Sequence, residues 1–261
     1  MTDTSQLHDA LIEAWRSGTP LNEEAATRLA PADNQAAYRV QHQVGEALQW
    51  FAQGRPHAWK IGAASNESLP TAAPIADAVV IHGLPESPAQ LPLSTRHTLF
   101  GIEVELAIRL ARDLPASADA AQIKAAVAEV IVAIEVCDVR AQAWQKLPAT
   151  FRLADQQMNR WLILGNATAG GWQDDYAQRG VQLQVNGAPV ALKDSRHPLG
   201  DPLCLLPWLC NHVAEQYPAG LRAGDVITTG TWTGLYEAQP GDRICASFDG
   251  LGGVALNIAN A

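Results

Sequence analysis

Two spacings of apolar residues divide the chain. Within residues 1–55 the period is helical: Leu7, Leu11, Ala14 and Trp15 share one face, and Gly18-Thr-Pro20 stops the run. A second helix is expected to start with Asp33 or Asn34 as cap. It carries Ala37, Val40, Val44, Leu48 and Phe51 inward and ends at Gly54. Beyond residue 55 a period of two takes over. Ile102, Val104, Leu106, Ile108 and Leu110 fall on one side of a strand, and Glu103, Glu105, Ala107 and Arg109 on the other.

Further strands are expected at 59–63 and 78–82, around a loop at 65–74 that holds Pro70 and Pro74. An alanine-rich helix over 119–130 runs into the apolar stretch 131–137, and 161–165 reads as another strand. Residues 181–185 alternate, Asn186-Gly187 supplies a two-residue hairpin turn, and 190–192 returns. Asp201-Pro202 has the order of a helix start, with Leu203, Leu206, Leu209, Cys210 and Val213 inside. Strands at 224–229, 243–248 and 254–258 complete the pattern. It predicts an α+β protein in which a helical arm, 1–55, precedes a β-rich domain, 56–261, with a curled or barrel-like core.

Glu103 and Glu105 are the first chemical signal. Next-but-one strand residues lie roughly 6–7 Å apart along the chain, so two carboxylates on one face can share a cation. Glu135 adds a third acid inside the run Ile131-Val-Ala-Ile-Glu-Val-Cys137, where an ionised group is costly unless something positive meets it. Three carboxylate ligands suit a hard ion, Mg²⁺ or Mn²⁺, better than zinc. The alternation is equally that of a half-exposed strand with a solvated face, and Glu135 has Lys60 and Arg140 as available partners. The pattern leaves both readings open.

Composition narrows the class. A net charge of −9 with 48% hydrophobic and 17% charged residues argues against nucleic acid or an anionic membrane as partner. The amino terminus is polar, no apolar run approaches the ~20 residues a membrane helix needs, and the expectation is a cytoplasmic protein. Cys137, Cys204, Cys210 and Cys245 lack metal-ligand spacing and read as reduced thiols. No nucleophile elbow and no glycine-rich phosphate loop occurs, which leaves serine hydrolysis and nucleotide cofactors unsupported. Lys60, in Ala58-Trp-Lys-Ile-Gly62, is either a semi-buried cation or a lysine reaching water. The run Thr228-Thr-Gly-Thr-Trp-Thr-Gly234 offers hydroxyls and amides for a carboxylate, or is simply a turn. Asp77 and Asp155 read as strand-start and cap residues.

The ordered set Lys60-Ile-Gly62, Glu103-Val-Glu105, Ala133-Ile-Glu-Val136 with Arg140, Ala154-Asp155, His197-Pro-Leu-Gly200 and Thr229-Gly-Thr231 resembles the 2-keto-4-pentenoate hydratase family. That family belongs to the fumarylacetoacetate hydrolase superfamily and includes 4-oxalocrotonate decarboxylases. The resemblance spans nearly the whole chain. It implies a mixed β-sandwich or barrel core and a hydratase of 2-hydroxy-2,4-dienoates in aromatic-compound catabolism, giving a 4-hydroxy-2-keto acid. Glu103, Glu105 and Glu135 would hold Mg²⁺ or Mn²⁺; Lys60, Asp77 and Asp155 would be catalytic; Thr229, Gly230 and Thr231 would bind the substrate carboxylate. The alternatives are a 2-keto dicarboxylate decarboxylase and a non-catalytic subunit of such an enzyme. A carbon–carbon hydrolase ranks lower, because 66–76 contains no histidine. The family forms homo-oligomers and its hydratases and decarboxylases associate, in keeping with eight tryptophans to bury. Two departures stand out. The stretch 63–76 is short and lacks the family's lid pattern, and Gln156-Gln-Met-Asn-Arg160 replaces a small serine-bearing segment. Arg160 is accordingly expected to meet a second acidic group on the substrate.

Overall fold

The computed structural model describes residues 4–92, 97–192 and 195–260. Its helical arm follows the apolar spacing. Helix α1 (Thr4–Ser17) buries Leu7, Leu11 and Ala14. In α3 (Asn34–Ala47), which buries Val40 and Val44, the Asp33 carboxylate accepts from the Ala36 amide at the N-terminus. Between them lies α2 (Glu23–Leu29), capped by Asn22. Its two turns bury only Ala26, too little periodicity to announce a helix. α3 ends at Ala47, not Gly54: Gln49 takes a positive φ of 54°, and the Trp50 and Phe51 rings fold back over Gly45.

The β-rich part runs β1 (Ala58–Gly62), β2 (Thr71–Ile75), β3 (Val80–His82), β4 (Ala89–Leu91), β5 (Gly101–Leu110), α4 (Ala120–Ala126) and β6 (Val127–Cys137). It continues with α5 (Ala149–Ala154), β7 (Asn159–Ala169), β8 (Val181–Val185), β9 (Ala188–Pro189) and α6 (Leu206–Gln216). The last strands are β10 (Val226–Thr228), β11 (Tyr236–Glu237), β12 (Arg243–Phe248) and β13 (Gly252–Ile258). One sheet has the order β2-β1-β10-β5-β6-β7-β3, with β11 paired to β5, and a second has β4-β13-β12-β8-β9. Pairing is antiparallel except for β1–β10, β3–β7 and β4–β13.

Four further boundaries differ from the sequence reading. The expected loop at 65–74 ends in β2, an edge strand where Pro74 removes no bond from a central ladder. The alanine-rich helix stops at Ala126, where β-branched residues take the backbone into β6. α6 begins at Leu206, because Asp201 caps a separate turn at Leu203. Residues 190–192 form no strand beyond the single bond from the Val190 amide to the Leu183 carbonyl.

The two sheets enclose the main core. Ile102, Val104, Leu106 and Ile108 of β5 and Val132, Ile134 and Val136 of β6 meet Ile244, Phe248, Val254 and Leu256 from the second sheet. Two glycines, Gly83 and Gly165, lie where the backbone of β13 comes too near for a side chain. A Cβ at Gly83 would lie 2.2 Å from the Ala255 carbonyl oxygen, and one at Gly165 would lie 2.3 Å from that of Gly253. A separate cluster joins the arm to the β-rich part: Leu7, Leu11, Val40 and Val44 pack with Val139, Leu147, Phe151 and Leu153. Among the described residues no helix is long and apolar enough to cross a membrane.

Candidate functional site

The period of two on β5 decides which side chains leave the core. With Ile102, Val104 and Leu106 turned between the sheets, Glu103, Glu105 and Ala107 share the other face of the first sheet. β6 pairs with β5 so that Glu103 lies opposite Glu135 and Glu105 opposite Ala133. On β1, Trp59 and Ile61 join the core, which turns Lys60 to the same side as the three acids. A cavity of about 470 Å³ opens there, lined by the three glutamates, Lys60, Arg152, Gln157, His197 and Thr229–Gly230–Thr231.

Burial is severe: Lys60 is 6% exposed, Glu105 2% and Glu135 0%. The Lys60 ammonium donates to Glu135 Oε1 at 2.6 Å and to the Gln157 carbonyl at 2.9 Å. Asn159 donates to the same Oε1 at 2.9 Å, while the buried Glu135 Oε2 has no hydrogen-bond partner. The Gly230 amide donates to Glu105 Oε2 at 2.8 Å, and the Cys137 thiol to Glu103 Oε2 at 3.4 Å. Three acids therefore face one lysine. Burial, reinforced by Glu135 and Glu103, pushes Glu105 well above the usual carboxylate range, against the pull of Lys60 and the Gly230 amide. Burial also raises Glu103, with Lys60 opposing and Glu135 adding to the rise. For Lys60, burial acts downward, but Glu135, Cys137 and Glu103 outweigh it and the net shift is upward.

This imbalance fits a cation. Ligand atoms of Glu103, Glu135 and Cys137 lie within 4.8 Å of one another. Burial and the adjacent carboxylates hold the Cys137 thiol well above its ordinary pKa, so the thiolate is disfavoured and the donors are oxygens. Glu103, Glu105 and Glu135, with an unmatched oxygen on Glu135, could hold a hard divalent ion.

A strained turn sets the Lys60 contact. Gln156, Gln157 and Met158 have positive φ values of 52°, 50° and 68°, a left-handed run without a glycine. It presents the Gln157 carbonyl to Lys60 and starts β7 with Asn159 against Glu135. The arm holds the turn: Gln41 donates to the Leu153 carbonyl and Gln156 donates to the Gln41 carbonyl.

Several expected roles change. Asp155 is completely buried away from the cavity, where its oxygens accept from Arg140 Nε at 2.7 Å and the Arg140 amide at 2.8 Å. It is a structural anchor, not a catalytic group. Asp77 opens a 3₁₀ turn outside the cavity and accepts from the Ala52 amide, which ties the end of the arm to the β-rich part. Arg160 also lies outside. Its guanidinium rests over the Trp15 and Trp161 rings, 4.8 and 4.6 Å from their centroids, so it offers nothing to a substrate. Thr229 and Gly230 line the cavity with their donors committed: the Thr229 hydroxyl donates to the Leu106 carbonyl and the Gly230 amide to Glu105. Thr231 lies beside them, its hydroxyl donating to the Gly234 carbonyl.

Three cavity residues had no role assigned from the sequence: Arg152, Gln157 and His197. Gln157 stood in an unusual segment and His197 in the motif His197-Pro-Leu-Gly200, while Arg152 carried no signal. His197 donates through Nε2 to the Thr229 carbonyl at 2.8 Å, and its buried Nδ1 is unmatched. Burial holds its pKa below the ordinary histidine value, so the ring is neutral near pH 7.

Residues 58–259 match the family model described as fumarylacetoacetate (FAA) hydrolase, C-terminal. The 2-keto-4-pentenoate hydratase 1 of Dechloromonas aromatica (strain RCB) is 28% identical over 254 residues, covering 94% of this chain and 91% of that protein. Hydratase 2 of the same strain is 28% identical over 242 residues, 89% of this chain and 88% of its own. Among solved structures, 4-oxalocrotonate decarboxylase from Pseudomonas putida G7, complexed with magnesium and adipate, superposes with a TM-score of 0.81. That match has 22% identity and covers 99% of each chain.

Proposed function

The chain belongs to the fumarylacetoacetate hydrolase C-terminal family, and from that membership we propose a divalent-metal-dependent hydratase that adds water to a 2-hydroxy-2,4-dienoate. The product is a 4-hydroxy-2-keto acid. Its hydratase relatives span nearly the full chain and support this reaction over others. The observation that carries the reading is the convergence of three carboxylates, two buried and one half-buried, one with an unmatched oxygen, beside a single paired lysine.

Mg²⁺ or Mn²⁺ held by Glu103, Glu105 and Glu135 would supply Lewis acidity, drawing electron density from the substrate's 2-oxygen. The protein's own groups do the rest. Lys60, kept protonated by Glu135 and pinned by the Gln157 carbonyl, places a fixed positive charge beside the developing enolate. The enol proton leaves the 2-oxygen and a proton is delivered to C5, which makes C4 electrophilic. Water then adds its hydroxyl at C4 and a proton at C3. His197, neutral and with Nδ1 free, is the imidazole available to accept a proton in the cavity. Gly230 holds Glu105 in position through its amide, where a bulkier residue at φ 102° would be strained. The same reading makes the protein a cytoplasmic homo-oligomer acting on a small acid.

Loss of dienol absorbance tests it. Wild type with Mg²⁺ or Mn²⁺ should consume 2-hydroxypenta-2,4-dienoate without releasing carbon dioxide, and chelation should stop it. Glu105→Gln should lower kcat/KM on the order of 100-fold, equivalent to about 2.7 kcal/mol of transition-state stabilisation. Turnover unaffected by chelator or by the substitution would dismiss the reading, and an inert dienol together with carbon dioxide release from a 2-keto dicarboxylate would identify a decarboxylase instead.

A further inference from the structure

Arg152 is the odd member of the arginine set. Among the described residues, every other arginine at least half-buried has a matching group. Arg55 pairs with Asp225, Arg109 with Glu129, Arg140 with Asp155 and Arg179 with Asp175, while Arg160 lies over two indole rings. Arg152, also half-buried, has no carboxylate, carbonyl or ring partner among the described residues and lines the cavity. None of its guanidinium nitrogens is sealed from solvent without a partner, so its charge stays available to an anion that enters the cavity. The second cavity cation, Lys60, is already spent on Glu135 and the Gln157 carbonyl.

Position points the same way. Arg152 belongs to α5, immediately before the left-handed turn, and so comes from a different element than the strands that carry the three glutamates. From that turn Gln157 also lines the cavity, and its buried Oε1 has no donor partner. The cavity thus has one acid-rich end built on β5 and β6 and a second polar element built on α5 and its turn. At about 470 Å³ it has room for more than the three-atom head of a 2-keto acid.

We propose that Arg152 is a specificity-determining residue that receives a second carboxylate at the far end of the substrate. The enzyme then favours a 2-hydroxydienoate dicarboxylate over a monoacid of equal length. This rests on the reading above, in which the glutamate end takes the 2-oxo acid head. The second acid group expected at Arg160 belongs instead to Arg152, the arginine that faces the cavity. A planar guanidinium accepts a carboxylate through two parallel hydrogen bonds, a geometry an ammonium cannot copy.

Binding of unreactive ligands separates this from the reaction itself. The Mg²⁺-loaded protein is titrated by calorimetry with 2-oxoadipate and with 2-oxohexanoate, which share six carbons and the keto-acid head and differ only at the far end. Wild type should bind 2-oxoadipate about tenfold tighter or more. In Arg152→Ala that ratio should fall to near one, and Arg152→Lys should keep part of it. Equal affinity of wild type for the two ligands overturns the proposal without needing any variant. So does a ratio that survives in both variants, or an Arg152→Ala that weakens both ligands alike. Binding of neither ligand removes both this proposal and the reading beneath it, whereas equal binding of both leaves that reading standing.

Discussion

A fully buried carboxylate is among the most expensive groups a chain can place in its interior, and Glu135 and Asp155 are both at 0% exposure. Their surroundings separate structure from function. Both Asp155 oxygens are matched by Arg140, whose own Nη1 and Nη2 donate to the Asn159 and Asp155 carbonyls. Glu135 has one oxygen matched twice and the other not at all. Asp155→Ala should therefore cost about 3–5 kcal/mol of stability, by stranding Arg140 in the interior. Urea unfolding measures it, with or without Mg²⁺; a loss that divalent ion restores would place Asp155 at the ion site after all. The sequence resolved part of this. Period two put Glu103 and Glu105 on one face and drew Glu135 and Lys60 into the argument. It could not choose between Lys60 and Arg140 as the partner of Glu135, because that depends on pairings between strands far apart in sequence. Asp155 read as catalytic and Arg160 as a substrate contact for the same reason: neither motif nor spacing tells which way a residue at the end of an element will face.

The element that most shapes the cavity is the one the sequence hid best. Left-handed turns are normally announced by Gly or Asn, yet Gln156-Gln157-Met158 holds three successive positive φ values with neither. Each such residue costs on the order of 1 kcal/mol. The run persists because it is held from several sides: the Met158 amide donates to the Asp155 carbonyl, the Asp138 amide to the Met158 carbonyl, and Gln156 to the Gln41 carbonyl of the arm. Regular elements were legible by contrast. The Asp33 cap lies where the residue types placed it, while α2 and β2 were too short or too proline-marked to stand out. Gln157→Gly relieves the strain at the turn's centre and frees the carbonyl that steadies Lys60. Thermal unfolding should rise by about 2–4 °C, the equivalent of about 1 kcal/mol in a chain of this size. Dienol turnover should fall several-fold in the same variant. A glycine variant no more stable than wild type would show that the turn carries no strain to release.

At the scale of the molecule, the α+β class and the helical arm followed from the change in apolar period, but the assembly of the parts did not. β1 pairs in parallel with β10, matching Ala58 to Val226 across most of the chain, and nothing local encodes such a match. The junction between arm and β-rich part is similarly non-local, and part of it is a histidine. His212 of α6 stacks on Trp208 at 4.6 Å and packs against Tyr38 of α3 at 4.4 Å, while its Nε2 meets the Gln216 amide. Burial pushes its pKa down to about 4, with Glu215 acting weakly upward. In the unfolded chain the ring titrates near 6.5, so between those two values the unfolded state binds more protons than the folded one. Stability from this residue is complete above pH 6.5 and drains away as pH falls toward 4, by up to about 3 kcal/mol. His212→Phe keeps an aromatic ring between Trp208 and Tyr38 and removes the titration. The melting temperature of wild type should fall more steeply than that of the variant between pH 6.5 and 4, with the two curves parallel above 6.5. Parallel curves throughout would mean that folding leaves the pKa of His212 unchanged, and that the arm is fastened to the core by contacts indifferent to its charge.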